Sequence, residues 1–473
     1  MALPQTLTTR PETPALGSRR WLALILLCAA NFMVILDSQV VILALPAIST
    51  ALGLTPEAAQ WVLSANLLTF GGLLLLGGRA ADLLGRRRVF MIGTALYLVV
   101  SIVCGFAWNQ EVLIIARALH GVSAAMMTPT ALSILTNMFR EGTERNRALA
   151  GWAGLASLGA VTGLLVGGSL VGLGWQWVFL VNVPVAIAML VLSPLLLQES
   201  SEADMRRTYD VAGALTSTGG LVLLLYAVVV VPTAGWVSAQ TLGLLAGAVV
   251  LFALFVVVEQ RSSAPLVPLR IFRSGNLVGG NLGMLAVGIL PFGLSVTISQ
   301  YAQTVLGMSA AQFGFRQALM PLSAAIGASV GQFFVTRFGF RAVGAVCMAL
   351  MAVGSLILVQ TVVAASWNIL TFLGLIIFGA GMGCATVAAA AAALSGVSRG
   401  DAGLASGLNT AALQAGGGFG VAIVITVILA YARGNDVGPG FQAGFVACAL
   451  IAVVGVLVMV GLTRRPRTET EGV

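Results

Sequence analysis

Apolar runs of about 20 residues alternate with short polar segments along almost the whole chain. A run of this length allows a helix to cross a hydrocarbon layer of roughly 30 Å. The pattern therefore predicts an all-α polytopic membrane protein with fourteen spans. The predicted spans cover residues 22–46, 58–78, 88–107, 110–136, 147–170, 176–197, 212–232, 240–260, 277–302, 312–336, 341–363, 368–394, 404–431 and 441–463.

The arginines lie on one side of this pattern. They precede the first span and follow every even-numbered span, whereas the opposite loops contain Arg433 alone. Because arginine is retained on the cytoplasmic side of a membrane, both termini are predicted to be cytoplasmic and the number of spans to be even. Inside the predicted spans, the basic residues are Arg117 and Arg316, and Asp37 is the one acidic residue well within a span.

Composition narrows the class of protein. The chain is 59% hydrophobic and 8% charged, and its mean hydropathy is +1.01, values typical of a polytopic membrane protein. The net charge of +8 comes from arginines scattered over short loops, which favours membrane topology over nucleic-acid binding. All five cysteines lie in apolar runs, so we expect buried thiols and no disulfide framework.

An internal repeat is visible in the spacing of glycines and arginines. Leu52-Gly53 and Gly85-Arg86-Arg87 have the same separation as Leu306-Gly307 and Gly339-Phe340-Arg341. Membrane transporters are commonly built from such related halves. The predicted parts are a cytoplasmic tail, a six-helix bundle, a linker with two inserted helices, a second six-helix bundle and a second cytoplasmic tail. They cover residues 1–20, 21–200, 201–275, 276–463 and 464–473.

Asp37 and Arg117 are the most informative residues within the membrane. Asp37 lies nine residues before Pro46, and Arg117 lies eight residues after Asn109, so both are at a similar depth below the predicted extracellular side. Removal from water favours a protonated carboxylic acid, whereas a nearby arginine favours the charged form. Such a balance permits a proton switch, and the alternative is a static ion pair that joins two helices. Ionisable groups within membranes favour the switch.

Further candidate residues lie in spans four, five and ten. His120 is the single histidine of the chain, and it either relays protons or hydrogen-bonds a neighbour. Arg316 either attracts an anionic or carbonyl-bearing substrate or extends toward the membrane surface. Small residues at four-residue spacing allow another helix to approach closely, although generic packing gives the same pattern. In the fifth span Gly159, Gly163 and Gly167 have this spacing, and Gly168 follows Gly167 directly.

Four motifs together resemble the fourteen-span drug:proton antiporter group of the major facilitator superfamily. The motifs are the charged loop from Gly78 to Arg88, the first-span stretch Ile35 to Pro46, Arg117 to Gly121 in the fourth span, and Trp175 to Pro184 before the sixth. The chain departs from the group's pattern at Gln39 and Ile42, where threonine and asparagine are usual. It departs again at His120, where glutamine is usual, and at Gly163-Leu164, where Gly-Pro is usual.

The resemblance implies two major-facilitator bundles of six helices and alternating access in a bacterial cytoplasmic membrane. Asp37 and Arg117 would then couple transport to protons, without any cofactor beyond the proton gradient. The loop between spans two and three would act as a cytoplasmic gate that holds the halves together when the cavity opens outward. Its implied gate residues are Gly78, Arg79, Asp82, Gly85, Arg86 and Arg87.

The expected function is export of small amphipathic drugs or antibiotics by a monomer in the lipid bilayer, in exchange for protons. The alternative is a dedicated exporter or proton symporter for one endogenous metabolite or lipid. Candidate substrate contacts are Asn31, Trp61, Asn66, His120, Trp152, Gln300, Arg316, Gln317 and Asn409.

Two other classes of protein are less consistent with the sequence. A membrane sensor or scaffold is expected to carry a soluble domain, and the tails are short. An intramembrane enzyme would need paired carboxylates, a metal site or an activated nucleophile, and the sequence offers no such constellation. No catalytic or metal-ligating residue is therefore predicted.

Overall fold

A computed structural model describes residues 16–139, 142–199, 211–262, 267–397, 401–432 and 436–463. In these residues the chain is almost entirely α-helical, which confirms the predicted all-α class. The first half contains α1 (Leu16–Leu52), α2 (Pro56–Leu84), α3 (Arg86–Gly105), α4 (Gln110–Met138), α5 (Thr143–Leu173), α6 (Trp177–Leu180) and α7 (Asn182–Leu196). The linker contains α8 (Val211–Ala234), α9 (Ala239–Arg261) and a 3₁₀ helix (Leu269–Arg273).

The second half begins with α10, which continues into a π-helical segment, Tyr301–Val305. Its α-helices are α10 (Gly275–Gln300), α11 (Ala310–Gln317), α12 (Leu319–Phe338), α13 (Phe340–Val363), α14 (Ile369–Leu394), α15 (Ala402–Tyr431) and α16 (Gly438–Leu462).

Twelve helices in the described residues are long and apolar enough to cross a membrane. In this count α6 and α7 form one span, Trp177–Leu196, and α11 and α12 form another, Ala310–Phe338. Shorter apolar helical stretches, Ala58–Leu74 and Ala212–Val228, lie within α2 and α8. The chain is therefore a multi-pass membrane protein, and a total of fourteen spans stays a prediction.

Local sequence signals explain where several helices begin. The Asn109 side chain accepts a hydrogen bond from the Val112 N–H at 2.9 Å and caps α4. Thr55 caps α2 in the same way, directly before Pro56. Both residue types are favoured at helix N-termini because their side-chain oxygens bond N–H groups that have no partner in the helix. Asn109 thereby sets the start of the helix that carries Arg117.

Paired backbone geometry supports the internal repeat. Gly53 and Gly307 have φ of 61° and 64°, and Gly85 and Gly339 have φ of 98° and 81°. These left-handed values favour glycine, since a Cβ there is strained. Gly53 and Gly307 therefore close equivalent turns in the two halves, and so do Gly85 and Gly339.

The described side chains form separate apolar cores in the two halves. One core draws mainly on α10 to α16, and another draws mainly on α1, α3, α4 and α7. The linker helix α8 packs against both α2 and α15, and α9 packs against α8. All five cysteines are buried and free, as predicted.

The halves meet where α2 packs against α15, and they also meet at their predicted extracellular ends. Gln303 Nε2 donates to the Leu43 carbonyl at 3.1 Å, and Ser299 Oγ donates to the Ile42 carbonyl at 3.4 Å. These hydrogen bonds join the end of α10 and its π-helical extension to α1. Helix α5 also packs against α11 at this end. This conformation therefore holds the two halves together on the predicted outer side.

Candidate functional site

Asp37 and Arg117 form a buried ion pair. Arg117 Nη1 donates to Asp37 Oδ2 at 2.7 Å, and the two residues are 2% and 1% exposed. Arg117 Nε donates to the Val62 carbonyl at 3.0 Å, and its guanidinium lies 5.9 Å from the centroid of the Phe179 ring. The arginine is thus held from three sides, whereas buried Asp37 Oδ1 has no hydrogen-bond partner among the described residues.

Close packing of α2 against α4 places the side chains around this pair. A Cβ on Gly121 would lie 2.2 Å from the Asn66 carbonyl oxygen, so only glycine allows this approach. Thr69 Oγ1 donates to the Ala118 carbonyl at 2.7 Å and fixes the same contact. The contact brings Asn66 beside His120, which lies one helical turn after Arg117.

His120 lies between polar groups from three other helices. Its Nδ1 is 3.3 Å from Asn66 Nδ2, 3.5 Å from Arg117 Nη1 and 3.5 Å from Asp37 Oδ2. Its Nε2 is 3.3 Å from Ser101 Oγ. With Asn66 Nδ2 and Arg117 Nη1 as donors, a neutral ring would accept at Nδ1 and donate from Nε2 to Ser101. The arrangement fits a neutral histidine that hydrogen-bonds its neighbours.

Substitution of His120 tests whether its hydrogen bonds stabilise the protein. We expect His120→Leu to lower the free energy of unfolding by about 1–3 kcal/mol, because buried Asn66 and Ser101 lose a hydrogen-bond partner. His120→Gln supplies an amide near the same position, so its melting temperature should stay close to that of the wild type. Thermal unfolding followed by gel filtration measures both variants. Equal melting temperatures for His120→Leu and His120→Gln would contradict the hydrogen-bonding role of His120.

A small cavity lies between the halves beside this cluster. Ser38, Asn66 and Arg117 line it from the first half, and Phe292 and Val421 line it from the second. Its volume is about 10 Å³, whereas sites for drug-sized ligands measure roughly 300–1,000 Å³. A drug-sized molecule therefore fits here only after the halves separate.

Other predicted substrate contacts in the first half lie apart from this cavity. The Trp61 ring packs on Tyr226 of linker helix α8, with centroids 5.4 Å apart. Trp152 packs against the apolar core of the first half. Asn31 is buried in α1. Of the predicted contacts in this half, Asn66 and His120 are the ones that the structure brings together with Asp37 and Arg117.

The predicted contacts in the second half are dispersed as well. The Arg316 guanidinium lies over the Trp367 ring, 5.8 Å from its centroid. Gln317 is buried and donates to Ser295 Oγ at 3.4 Å. Asn409 donates to Asn281 Oδ1 at 3.1 Å, and Gln300 is half-buried at the end of α10. These contacts do not join any two of the four residues.

The glycines of the fifth span face two different partners. A Cβ on Gly159, Gly163 or Gly167 would meet α1 of the same half. A Cβ on Gly168 would lie 2.4 Å from Ala311 Cα, in α11 of the other half. Gly168 alone among these four glycines thus permits the close contact between the halves.

The predicted gate loop bonds within its own half in this conformation. Glu199 Oε1 accepts a hydrogen bond from the Arg87 N–H at 3.1 Å, and Glu199 Oε2 lies 3.7 Å from Arg88 Nε. Gly78 and Arg79 lie near the end of α2, Gly85 separates α2 from α3, and Arg86 is buried. The side chain of Asp82 lies outside the described residues.

Sequence reasoning missed three neighbours of the buried pair. Ser101 and Tyr97 both lie on α3, and the Tyr97 ring centroid is 4.2 Å from that of His120. Phe179 faces Arg117 from α6. Ser101 and Tyr97 are four residues apart on one helical face, a spacing that marks a shared surface but does not identify its partner.

Comparison with protein families gives one match over most of the chain. The model of the Major Facilitator Superfamily matches residues 27–270 and 277–473. Curated relatives include the MFS-type transporter EfpA of Mycobacterium tuberculosis, which is 33% identical over 93% of this chain and 84% of its own length. The cephamycin export protein CmcT of Amycolatopsis lactamdurans is 38% identical over 86% of this chain and 84% of its own length.

A further relative is the tetracenomycin C resistance and export protein of Streptomyces glaucescens, 34% identical over 90% of this chain and 79% of its own length. Solved structures with the same fold include the POT family transporter PepTSo, with a TM-score of 0.69 at 15% identity and coverage of 95% of this chain and 97% of that one. The xylose transporter XylE from E. coli has a TM-score of 0.65 at 14% identity, with coverage of 97% and 100%.

Proposed function

Since the chain belongs to the major facilitator superfamily, we propose that it exports small amphipathic molecules across the cytoplasmic membrane in exchange for protons. The export and resistance roles named for its relatives support the direction of transport. The fold has fourteen spans and cytoplasmic termini, with α2 and α8 as the two spans beyond the twelve. The bounds of these two helices and the arginine distribution support this topology.

The buried Asp37–Arg117 pair carries the proposal. Asp37 Oδ1 is buried without a hydrogen-bond partner among the described residues, so it is the oxygen that accepts the proton. Protonation neutralises the carboxylate and weakens its hold on Arg117. Arg117 is then free to turn toward the cavity that it already lines. Release of the proton restores the pair and closes the cycle.

Alternating access explains why the cavity beside the pair is small. The halves are joined at the predicted outer side through Gln303 and Ser299. Opening toward the cytoplasm would enlarge the space between Phe292 and Asn66 for substrate entry. Opening outward requires the outer contacts to part. The gate loop would then join the halves on the cytoplasmic side, in place of its present contact with Glu199.

The charges near the cavity favour neutral or anionic amphipathic substrates. The cavity lining includes Arg117 and no acidic residue, and Asp37 is occupied by that arginine. A permanently dicationic compound would be repelled by Arg117 and would find no free carboxylate in the cavity lining. Apolar walls such as Phe292 and Val421 suit compounds that partition into the membrane.

Resistance tests distinguish this function from a dedicated metabolite transporter. A bacterial host without its major efflux pumps would express the transporter or carry the empty vector. A panel of neutral, anionic, monocationic and dicationic amphipathic compounds would then be compared for growth inhibition and for extrusion. We expect protection against several neutral or anionic compounds. Protection against none, or uptake in place of extrusion, favours a single endogenous substrate.

A further inference from the structure

An apolar groove runs along the outer surface of the second half. Ile326, Val330 and Phe334 of α12 line it on one side, and Val346 and Leu350 of α13 line the other. Its volume is about 520 Å³, which lies in the range of sites for drug-sized ligands. Ile326 and Val346 are 66% and 60% exposed, so the groove opens to the surroundings of the protein.

A second cavity continues the groove at the α12–α13 turn. It measures about 210 Å³ and is lined by Gly339, Phe340 and Arg341. Phe338 and Ala342 line both cavities. Arg341 is exposed, and exposed Arg337 lies over the Phe338 ring at 5.6 Å from its centroid. One continuous surface therefore has an apolar length and a basic end.

The basic end has no acidic residue near it in the sequence. No acidic residue occurs between Glu259 and Asp401. Asp401 lies 3.3 Å from Arg270, and Glu259 Oε1 accepts a hydrogen bond from the Val267 N–H. Both flanking carboxylates thus have other partners, and neither Arg337 nor Arg341 forms an ion pair with an acidic residue in the part of the chain that the structure describes.

The internal repeat shows that the charged turns of the two halves differ in their residues. Arg341 occupies the place of Arg87, and Thr336 occupies the place of Asp82. In the first half, Arg87 and Arg88 lie beside the carboxylate of Glu199. The second half keeps a basic residue at the turn, but the segment between Glu259 and Asp401 offers no carboxylate to stand beside it.

We propose that the α12–α13 groove binds one anionic phospholipid, with an acyl chain along Val330 and Val346 and the phosphate between Arg337 and Arg341. The first-turn N–H groups of α13 add attraction for the phosphate. The site lies in the cytoplasmic leaflet under the topology proposed above. It goes beyond transport and lies away from the Asp37 cluster. The occupant is a lipid because the apolar part of the groove is larger than its basic end.

Native mass spectrometry tests this site with the purified full-length transporter. Phosphatidylglycerol and phosphatidylcholine with identical acyl chains would be titrated against the wild type, Arg341→Gln, Arg337→Gln and the double variant. Arg273→Gln is the matched control, because Arg273 is another exposed arginine in a predicted cytoplasmic segment. Val346→Trp fills the apolar groove without removing charge.

We expect the wild type to retain one phosphatidylglycerol in preference to phosphatidylcholine. Each arginine substitution should weaken this lipid about fivefold, and the double variant about twentyfold. Val346→Trp should weaken both lipids, and Arg273→Gln should change neither. Equal retention of the two lipids by the wild type overturns the proposal, as does an unchanged preference in the double variant. Displacement of the lipid by soluble glycerol phosphate would also overturn it, since that identifies a site for phosphate alone.

Discussion

Asp37→Asn is expected to abolish proton-driven export while leaving the transporter able to bind substrate. Asparagine has nearly the same size as aspartate, but its amide neither gains nor releases a proton near neutral pH. In proteoliposomes with an imposed pH gradient, the variant should neither accumulate substrate nor release protons when substrate is added. Exchange of labelled for unlabelled substrate without a gradient should persist, because binding and the movement of the halves do not need the carboxylate.

Loss of charge at Asp37 also leaves Arg117 buried without its ionic partner, a change that typically costs about 3–5 kcal/mol. The double variant Asp37→Asn/Arg117→Gln removes both charges and so relieves this cost. If the pair only joined α1 to α4, the double variant would regain proton-driven export together with stability. We expect it to regain stability and to remain uncoupled. Export by the double variant at the wild-type level would refute the proton-carrying role.

Glu111→Gln is the matched control for the loss of a carboxylate. Glu111 is exposed in the first turn of α4, the helix that also carries Arg117. Its side chain accepts a hydrogen bond from Gln110 at 3.0 Å and contacts nothing in the Asp37 cluster. Proton-driven export by this variant should equal that of the wild type, with expression matched by fluorescence of a fused reporter.

Much of the fold was predictable because membrane insertion imposes a simple pattern. Long apolar runs predicted the helices, and glycine spacing predicted a repeat that Gly53, Gly85, Gly307 and Gly339 support through their backbone angles. The spacing predicts a similar depth for Asp37 and Arg117, and in the structure the two side chains form an ion pair. Their chemistry is still a prediction.

The surroundings of the pair were not predictable in the same way. Helix rotation decides which residues face the pair, and an almost wholly apolar helix has no amphipathic pattern that reveals its rotation. Trp61 therefore looked like a cavity residue although it packs on Tyr226 of the linker. No sequence pattern singles out Ser101, although it hydrogen-bonds His120. The polar residues of the spans identify candidates for the site, but only the tertiary structure shows which of them face the ion pair.

Gly168 is expected to control closure of the outer side. Any side chain at this position would meet Ala311, since even a Cβ would lie 2.4 Å from its Cα. Gly168→Val should therefore separate α5 from α11 and favour the outward-open state. Overpacking of this kind costs about 1–3 kcal/mol, which corresponds to a shift of roughly 5- to 150-fold between two states. Export should fall by a similar factor, because the cycle cannot complete closure.

Spin labels on the outer loops measure this shift directly. Labels at Trp108 and Ser366 lie on the exposed ends of different halves, so their separation should increase in Gly168→Val. The matched control is Gly172→Val, one turn further along α5, where a Cβ would meet nothing within 4 Å. That variant should keep the wild-type distance and export. Because Gly167 faces α1, Gly167→Val should instead disturb the first half and lower its melting temperature. If Gly168→Val kept the short distance, α11 would have to yield at Ala311, and the closure assigned to Gly168 would be wrong.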